Sequence, residues 1–144
     1  VNIVGKGGNF LLNVGPRPDG QLPAGALERM REIGQWMKVN GEAIYGTRPI
    51  APYKDDQVVY TQKGKTVYAV YLPEKESDGL PDQVFFAGIK PQTGTTIHLL
   101  GVKTALRWKI LANGTTAIDI PDVVRQSPPC RYAFAFAFHP ADKE

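Results

Sequence analysis

Acidic side chains are the first place to look for hydrolytic chemistry in this chain. A hydrolase needs two carboxylates held together, or a nucleophile beside its base. The candidates are Asp19, Glu28, Glu32, Glu42, Asp55, Asp56, Glu74, Glu76, Asp78, Asp82, Asp119, Asp122, Asp142 and Glu144. Nearly all fall in turn-like stretches or on the polar face of a helical pattern. None interrupts an apolar strand, where burial would raise its pKa, so each reads as solvated. Glu42 is the exception: it follows Asn40-Gly41, and a packing or hydrogen-bonding role is expected of it. His98 and His139 lie far apart, and Cys130 is the only cysteine, so neither an intrachain disulfide nor a multi-ligand metal site can be assembled from them. His98 reads as a structural or exposed strand residue. Cys130, after two prolines, reads as a buried or half-buried thiol with no nearby base.

Three short motifs are weaker still. Gly5-Lys6-Gly7-Gly8 lacks the third glycine of a dinucleotide fingerprint, since Phe10 stands there, and it precedes the apolar run instead of following one. It reads as a flexible entry into a strand. Asn113-Gly114-Thr115 is a glycosylation sequon, but Asn-Gly is equally a hairpin turn, which is the preferred reading. Trp36 and Trp108 could stack on a sugar ring; Trp108 alternates with Leu106 and Ile110, which favours a core position.

The elements that must carry these residues change character near residue 50. Residues 9–14, Asn-Phe-Leu-Leu-Asn-Val, form a short apolar run suited to a strand buried on both faces, as in a parallel sheet. The turn-forming stretch 15–20 follows. A helix is then predicted, with Pro23 at its first position and Leu27, Met30, Ile33, Gly34 and Met37 on one face. Asn40-Gly41 should end it, with Gly41 in the left-handed cap. Beyond Pro49 and Pro52 the period becomes two. Strands are predicted near 57–62, 66–72, 83–88, 95–100, 105–111, 115–120 and 131–138, separated by turns such as Asp78-Gly79-Leu80-Pro81 and Pro128-Pro129. In the last strand Tyr132, Phe134, Phe136 and Phe138 share one face, which must be core, and Ala133, Ala135 and Ala137 share the other, which accepts a close neighbour.

Whole-chain properties set the frame. At 144 residues there is room for one domain or for a domain plus part of another. With 42% hydrophobic and 22% charged residues, disorder and coiled coil are excluded. The 15 glycines and 12 prolines point to many turns and hence short strands. Net charge is +3 with the basic residues dispersed, so no nucleic-acid or membrane patch is read and neither partner is expected. The first residue is Val1 and the chain enters an apolar run almost at once, which reads as a piece of something larger. Residues 1–48 are therefore read as one βα unit, and residues 49–144 as an antiparallel β-sandwich, its two sheets lying within 53–139: a mainly β fold preceded by one strand–helix unit.

The N-terminal third carries a resemblance. Lys6-Gly7-Gly8-Asn9-Phe10-Leu11-Leu12-Asn13-Val14-Gly15-Pro16, then Pro18-Asp19-Gly20, then Ile33-Gly34-Gln35-Trp36-Met37-Lys38-Val39-Asn40-Gly41-Glu42-Ala43-Ile44-Tyr45-Gly46-Thr47 resembles the end of the catalytic (β/α)₈ barrel in α-L-fucosidases of glycoside hydrolase family 29. Leu99-Leu100-Gly101, Leu106-Arg107-Trp108-Lys109 and Pro129-Cys130-Arg131-Tyr132-Ala133 resemble that family's C-terminal β domain. The resemblance implies a retaining exo-glycosidase that removes terminal α-L-fucose from glycans with two carboxylic acids and no cofactor or metal. In the family those acids come from earlier barrel strands, so no catalytic residue is assigned here and the chain alone is expected to be inactive. The missing partner is then the N-terminal catalytic barrel, the substrate a fucosylated glycan, and the compartment implied by the family periplasmic, secreted or lysosomal. A barrel strand points its C-terminal end at the active-site mouth. Asn13 and Arg17 would accordingly lie at the rim and are the candidate substrate-binding residues. The alternatives are a free-standing carbohydrate-binding β-sandwich, which an exposed aromatic platform on one sheet would favour, and a β-rich interaction module with no sugar role.

Overall fold

A computed structural model describes residues 1–75 and 79–142. The acids Glu76, Asp78 and Glu144 and part of the turn predicted at 78–81 lie outside the described residues. A one-turn helix α1 (Asn2–Gly5) precedes the long helix α2 (Ala24–Asn40) and a 3₁₀ turn (Gly41–Ala43). Then come β1 (Arg48–Asp55), β2 (Val58–Lys63), β3 (Thr66–Tyr71), β4 (Gln83–Phe86), β5 (His98–Leu99), β6 (Trp108–Ile110), β7 (Thr116–Asp119), the short helix α3 (Asp122–Gln126) and β8 (Phe134–Phe138). The strands form two antiparallel sheets, β1-β2-β3-β8-β5 and β4-β7-β6.

The main core lies between the sheets. Register places Phe134, Phe136 and Phe138 opposite Tyr71, Ala69 and Val67. Val58, Tyr60, Val84, Phe86, Ile118 and Leu99 join them. Phe86 stacks on Phe138 with ring centroids 5.5 Å apart and meets Tyr60 edge-on at 6.3 Å, tying sheet to sheet. Trp108 packs half-buried against this core and its indole N–H donates to the Thr95 carbonyl at 3.0 Å. The aromatic face is thus interior at Phe134, Phe136 and Phe138. Tyr132 sits before the strand with a left-handed backbone, φ 73°, and is only half-buried.

The alanine face builds a second cluster, in which Ala133, Ala135 and Ala137 pack with Tyr68, Val70, Ala43 and Trp36. Small side chains let α2 approach the sheet closely. Its Trp36 indole N–H donates to the Ala133 carbonyl at 2.9 Å. The Asn40 amide donates to the Trp36 carbonyl and to Cys130 Sγ, each at 3.3 Å, and the Cys130 thiol donates to the same Ala133 carbonyl at 3.2 Å. Further along α2, the Tyr132 hydroxyl donates to Glu32 Oε1 at 3.0 Å while Arg29 holds Glu32 Oε2 at 2.7 Å. Past the helix, Ala43 is fully buried and its carbonyl accepts from the Thr61 hydroxyl at 2.7 Å.

Four expectations need correction. Residues 9–14 are not a strand: Phe10, Leu11 and Leu12 are 62%, 83% and 48% exposed. A strand needs at least one neighbour to pair its backbone, and among the described residues no strand pairs with this segment. The docking face of α2 is Glu32, Trp36 and Asn40; of the predicted apolar face, Met30 and Ile33 are exposed. Gly41 is right-handed (φ −59°) and extends the helix into the 3₁₀ turn; the left-handed reversal comes at Gly46, φ 70°. Strand β1, unforeseen, contains both prolines. It is an edge strand paired only with β2, with a register shift between Pro49 and Lys54 and Tyr53 at φ 69°, and an edge tolerates missing N–H donors.

Two outcomes follow. Phe136→Ala should destabilise the chain by about 3–5 kcal/mol in urea unfolding, since its ring is fully buried in the main core; a loss below about 1 kcal/mol would show the core is not centred there. The hydrogen bonds from Arg29 and then Tyr132 hold the Glu32 carboxyl below its ordinary pKa. A lowered folded pKa gives stability that is present above the unfolded value and disappears as pH falls through the folded one. Wild type should therefore exceed Glu32→Gln in stability at neutral pH and converge with it in acid, whereas a gap independent of pH would deny the carboxylate this role.

Candidate functional site

The segment carrying Asn13 and Arg17 runs along the surface. Both residues are exposed. Asn13 lies in the extended stretch before Gly15. Arg17 opens a compact turn: its N–H donates to the Gln21 carbonyl at 2.7 Å, the Gly20 N–H to the Arg17 carbonyl at 2.8 Å, and the Gln21 N–H to Asp19 Oδ1 at 3.0 Å. Gly20 takes φ 79°, which closes the turn without a side-chain clash. Arg17 Nε and Asp19 Oδ2 are 3.9 Å apart with both side chains solvated. The turn is ordered by its own bonds and fixes where Arg17 leaves the backbone.

A groove of about 1050 Å³ lies between residues 1–10, α2, the 44–49 stretch and Tyr132. Ile33, Met37 and Phe10 give it an apolar wall, and Arg29, Arg48 and Glu32 supply its charged side chains. Glu32 is the one carboxylate among the lining residues, and its pKa is lowered. A general acid needs the opposite shift, and a retaining pair needs a second carboxylate about 5–5.5 Å away. Its lining residues supply no such pair of carboxylates.

The remaining candidates serve structure. His98 Nε2 lies 3.1 Å from Thr96 Oγ1 at a partly exposed position. Burial pushes the Cys130 thiol up, against a smaller lowering by Asn40, which makes it a poor nucleophile at neutral pH. Glu42 meets the Tyr68 hydroxyl; burial first, then the charge and hydrogen bond of Glu42, raise that phenol. Asn113-Gly114 forms the hairpin turn, with Gly114 at φ 82° donating to the Leu111 carbonyl and Asn113 Oδ1 accepting from the Thr115 N–H. Among the described residues, no three histidine, cysteine or acidic side chains gather as metal ligands, and no helix is long and apolar enough to cross a membrane.

Sequence reasoning missed two polar residues. Asn40 is fully buried and bridges α2 to Cys130 across 90 positions. Asp55, at the end of β1, accepts from the Ala87 N–H at 2.6 Å and sits beside the buried Tyr60 phenol, whose pKa rises through burial first and the Asp55 charge second. Neither pairing has a local signature, because the partners are distant in sequence.

Comparison with known proteins agrees with this geometry. Residues 1–42 match the family description "Alpha-L-fucosidase" and residues 53–139 match "Alpha-L-fucosidase C-terminal domain". The plasma α-L-fucosidase of Homo sapiens is 36% identical over 143 residues, covering 95% of this chain and 30% of that protein. An α-L-fucosidase of Branchiostoma floridae is 33% identical, with 93% and 30% covered. Among solved structures, α-L-fucosidase isoenzyme 1 of Paenibacillus thiaminolyticus superposes with a TM-score of 0.74 at 28% identity, covering 97% of this chain and 32% of that one. The Thermotoga maritima α-fucosidase in complex with fucose gives 0.74 at 25% identity, with 93% and 32% covered. The chain thus spans about 30% of the length of the curated relatives it matches. With two consecutive family descriptions met in order, the second over more than half its residues, this chain belongs to the α-L-fucosidase family and corresponds to its C-terminal part.

Proposed function

We propose that these residues form the C-terminal part of a retaining α-L-fucosidase, which removes terminal α-L-fucose from fucosylated glycans. The observation that carries the reading is the pair of family matches, met in chain order on a structure in which α2 and the β domain share one packed interface. Residues 1–48 serve as the closing part of the catalytic barrel and 49–144 as the β-sandwich that braces it. In a retaining enzyme one carboxylate attacks the anomeric carbon and a second carboxylic acid, about 5–5.5 Å away, protonates the leaving oxygen. Both come from the preceding barrel, since a complete barrel needs ~200 residues or more.

Within that enzyme Asn13 and Arg17 stand at the rim of the active-site mouth. Arg17 leaves the self-bonded 17–21 turn, so its guanidinium is presented from a fixed backbone. It contacts the glycan beyond the cleaved bond and leaves the chemistry itself untouched. The fucose bound in the Thermotoga maritima relative supports the substrate class.

The complete protein should hydrolyse a nitrophenyl α-L-fucoside with retention at the anomeric carbon, and the purified 144-residue chain should not. Turnover by the chain alone, or inversion by the complete enzyme, would overturn the reading. In the complete enzyme Arg17→Ala should lower kcat/KM for an extended fucosylated glycan by about tenfold, ~1.4 kcal/mol, while leaving the nitrophenyl fucoside nearly unaffected. An equal loss on both substrates, or no loss on either, would remove Arg17 from the rim.

A further inference from the structure

The outer face of the three-stranded sheet takes no part in the core or in the docking of α2. Register sets Phe85, Ala117 and Lys109 in one row across it, and Gln83 and Asp119 in the next. Phe85 is 50% exposed, yet Ala117 beside it is 1% exposed. Phe85 and Lys109 flank Ala117 on either side in this row, and half of Phe85 stays open to solvent beside the buried methyl. In the next row Gln83 Nε2 donates to Asp119 Oδ1 at 2.7 Å, fixing an amide and a carboxylate beside that ring. Two strand residues span about 7 Å, within reach of one sugar ring.

We propose that this face is a carbohydrate contact site: a neutral pyranose lays its C–H face on Phe85, and its hydroxyls hydrogen-bond Asp119, Gln83 and Lys109. The aromatic face carries negative quadrupole charge, which the weakly positive C–H groups of a sugar complement. Asp119 accepts, Lys109 donates, and Arg107 stands just before β6, two residues ahead of Lys109. Donors and acceptors together suit a polyhydroxyl ligand; a polyanion would meet Asp119, and an apolar protein surface would have to bury three charges. The face is also free in the right direction. Helix α2, from the part that matches the catalytic family, packs on the alanine face of the other sheet, so this face looks away from it. The site rests on the fucosidase reading for its occupant, a sugar of the glycan being processed, and would raise that glycan's effective concentration at the enzyme.

The test is saturation-transfer NMR on the 144-residue chain with two probes, a fucosylated lactose trisaccharide and lactose. Transfer to sugar C–H protons is expected, stronger for the fucosylated probe, and weaker by about tenfold in Phe85→Ala and in Asp119→Ala. Val123→Ala, exposed on α3, serves as the control that keeps it. Unchanged melting temperatures establish that the variants fold. Absence of transfer, or transfer that survives both substitutions, would overturn the site, and equal transfer to lactose would overturn its fucosylated occupant. Because no turnover is read, binding at Phe85 alongside a complete enzyme without fucosidase activity would sink the catalytic reading and leave this site standing.

Discussion

Strand β8 is covered on both sides, and most of the molecule is arranged around that constraint. Its phenylalanines fill the space between the sheets and its alanines leave room for a helix on the other side. A bulky residue on the alanine face would push α2 off and break the approach that brings the Trp36 indole within 2.9 Å of the Ala133 carbonyl. That carbonyl also receives the Cys130 thiol, and Cys130 in turn receives Asn40. One β-strand terminus thus organises the C-terminal half of α2 through directional bonds, and the 3₁₀ turn beyond it is seated by the buried Ala43. The helix is placed by hydrogen bonds to backbone and thiol as much as by apolar area.

This explains what the sequence disclosed and what it withheld. Strands β2, β3, β4, β6, β7 and β8 were legible because short runs of strand-forming residues are set apart by turn residues, with left-handed glycines closing the β2–β3 and β6–β7 hairpins at Gly64 and Gly114. The split of Phe and Ala across β8 was legible from its alternation. Strand β1 was hidden by Pro49 and Pro52, which an interior strand would reject and this edge strand accepts. The docking face of α2 was hidden because Glu32 and Asn40 are polar by type and engage by hydrogen bonding, whereas Ile33 and Met37 of the periodic apolar set line the open groove. The run 9–14 carries the composition of a buried parallel strand, but composition does not supply the flanking strands that would pair it.

The candidate site was legible only in part. Composition and spacing offered no catalytic pair, and the carboxylate lining the groove, Glu32, is held ionised by Arg29 and Tyr132. Asn13 and Arg17 came from the family resemblance, and their exposed, self-ordered setting is a local fact about the 13–21 stretch. What the chain contributes is position. It couples residues 1–42, which match the α-L-fucosidase description, to the β-sandwich through the contacts of α2 with the alanine face, so a shift of the sandwich would move α2 and with it the loop that bears Arg17.

The central claim is that α2 and the five-stranded sheet are one cooperative unit joined at β8. Native-state hydrogen exchange measures this directly. The amides of residues 36–40 should exchange with the same opening free energy as those of β8, while residues 9–14 exchange with almost no protection. If the helical amides instead open far more readily than β8, the helix is merely resting on the sheet and the account of the interface fails.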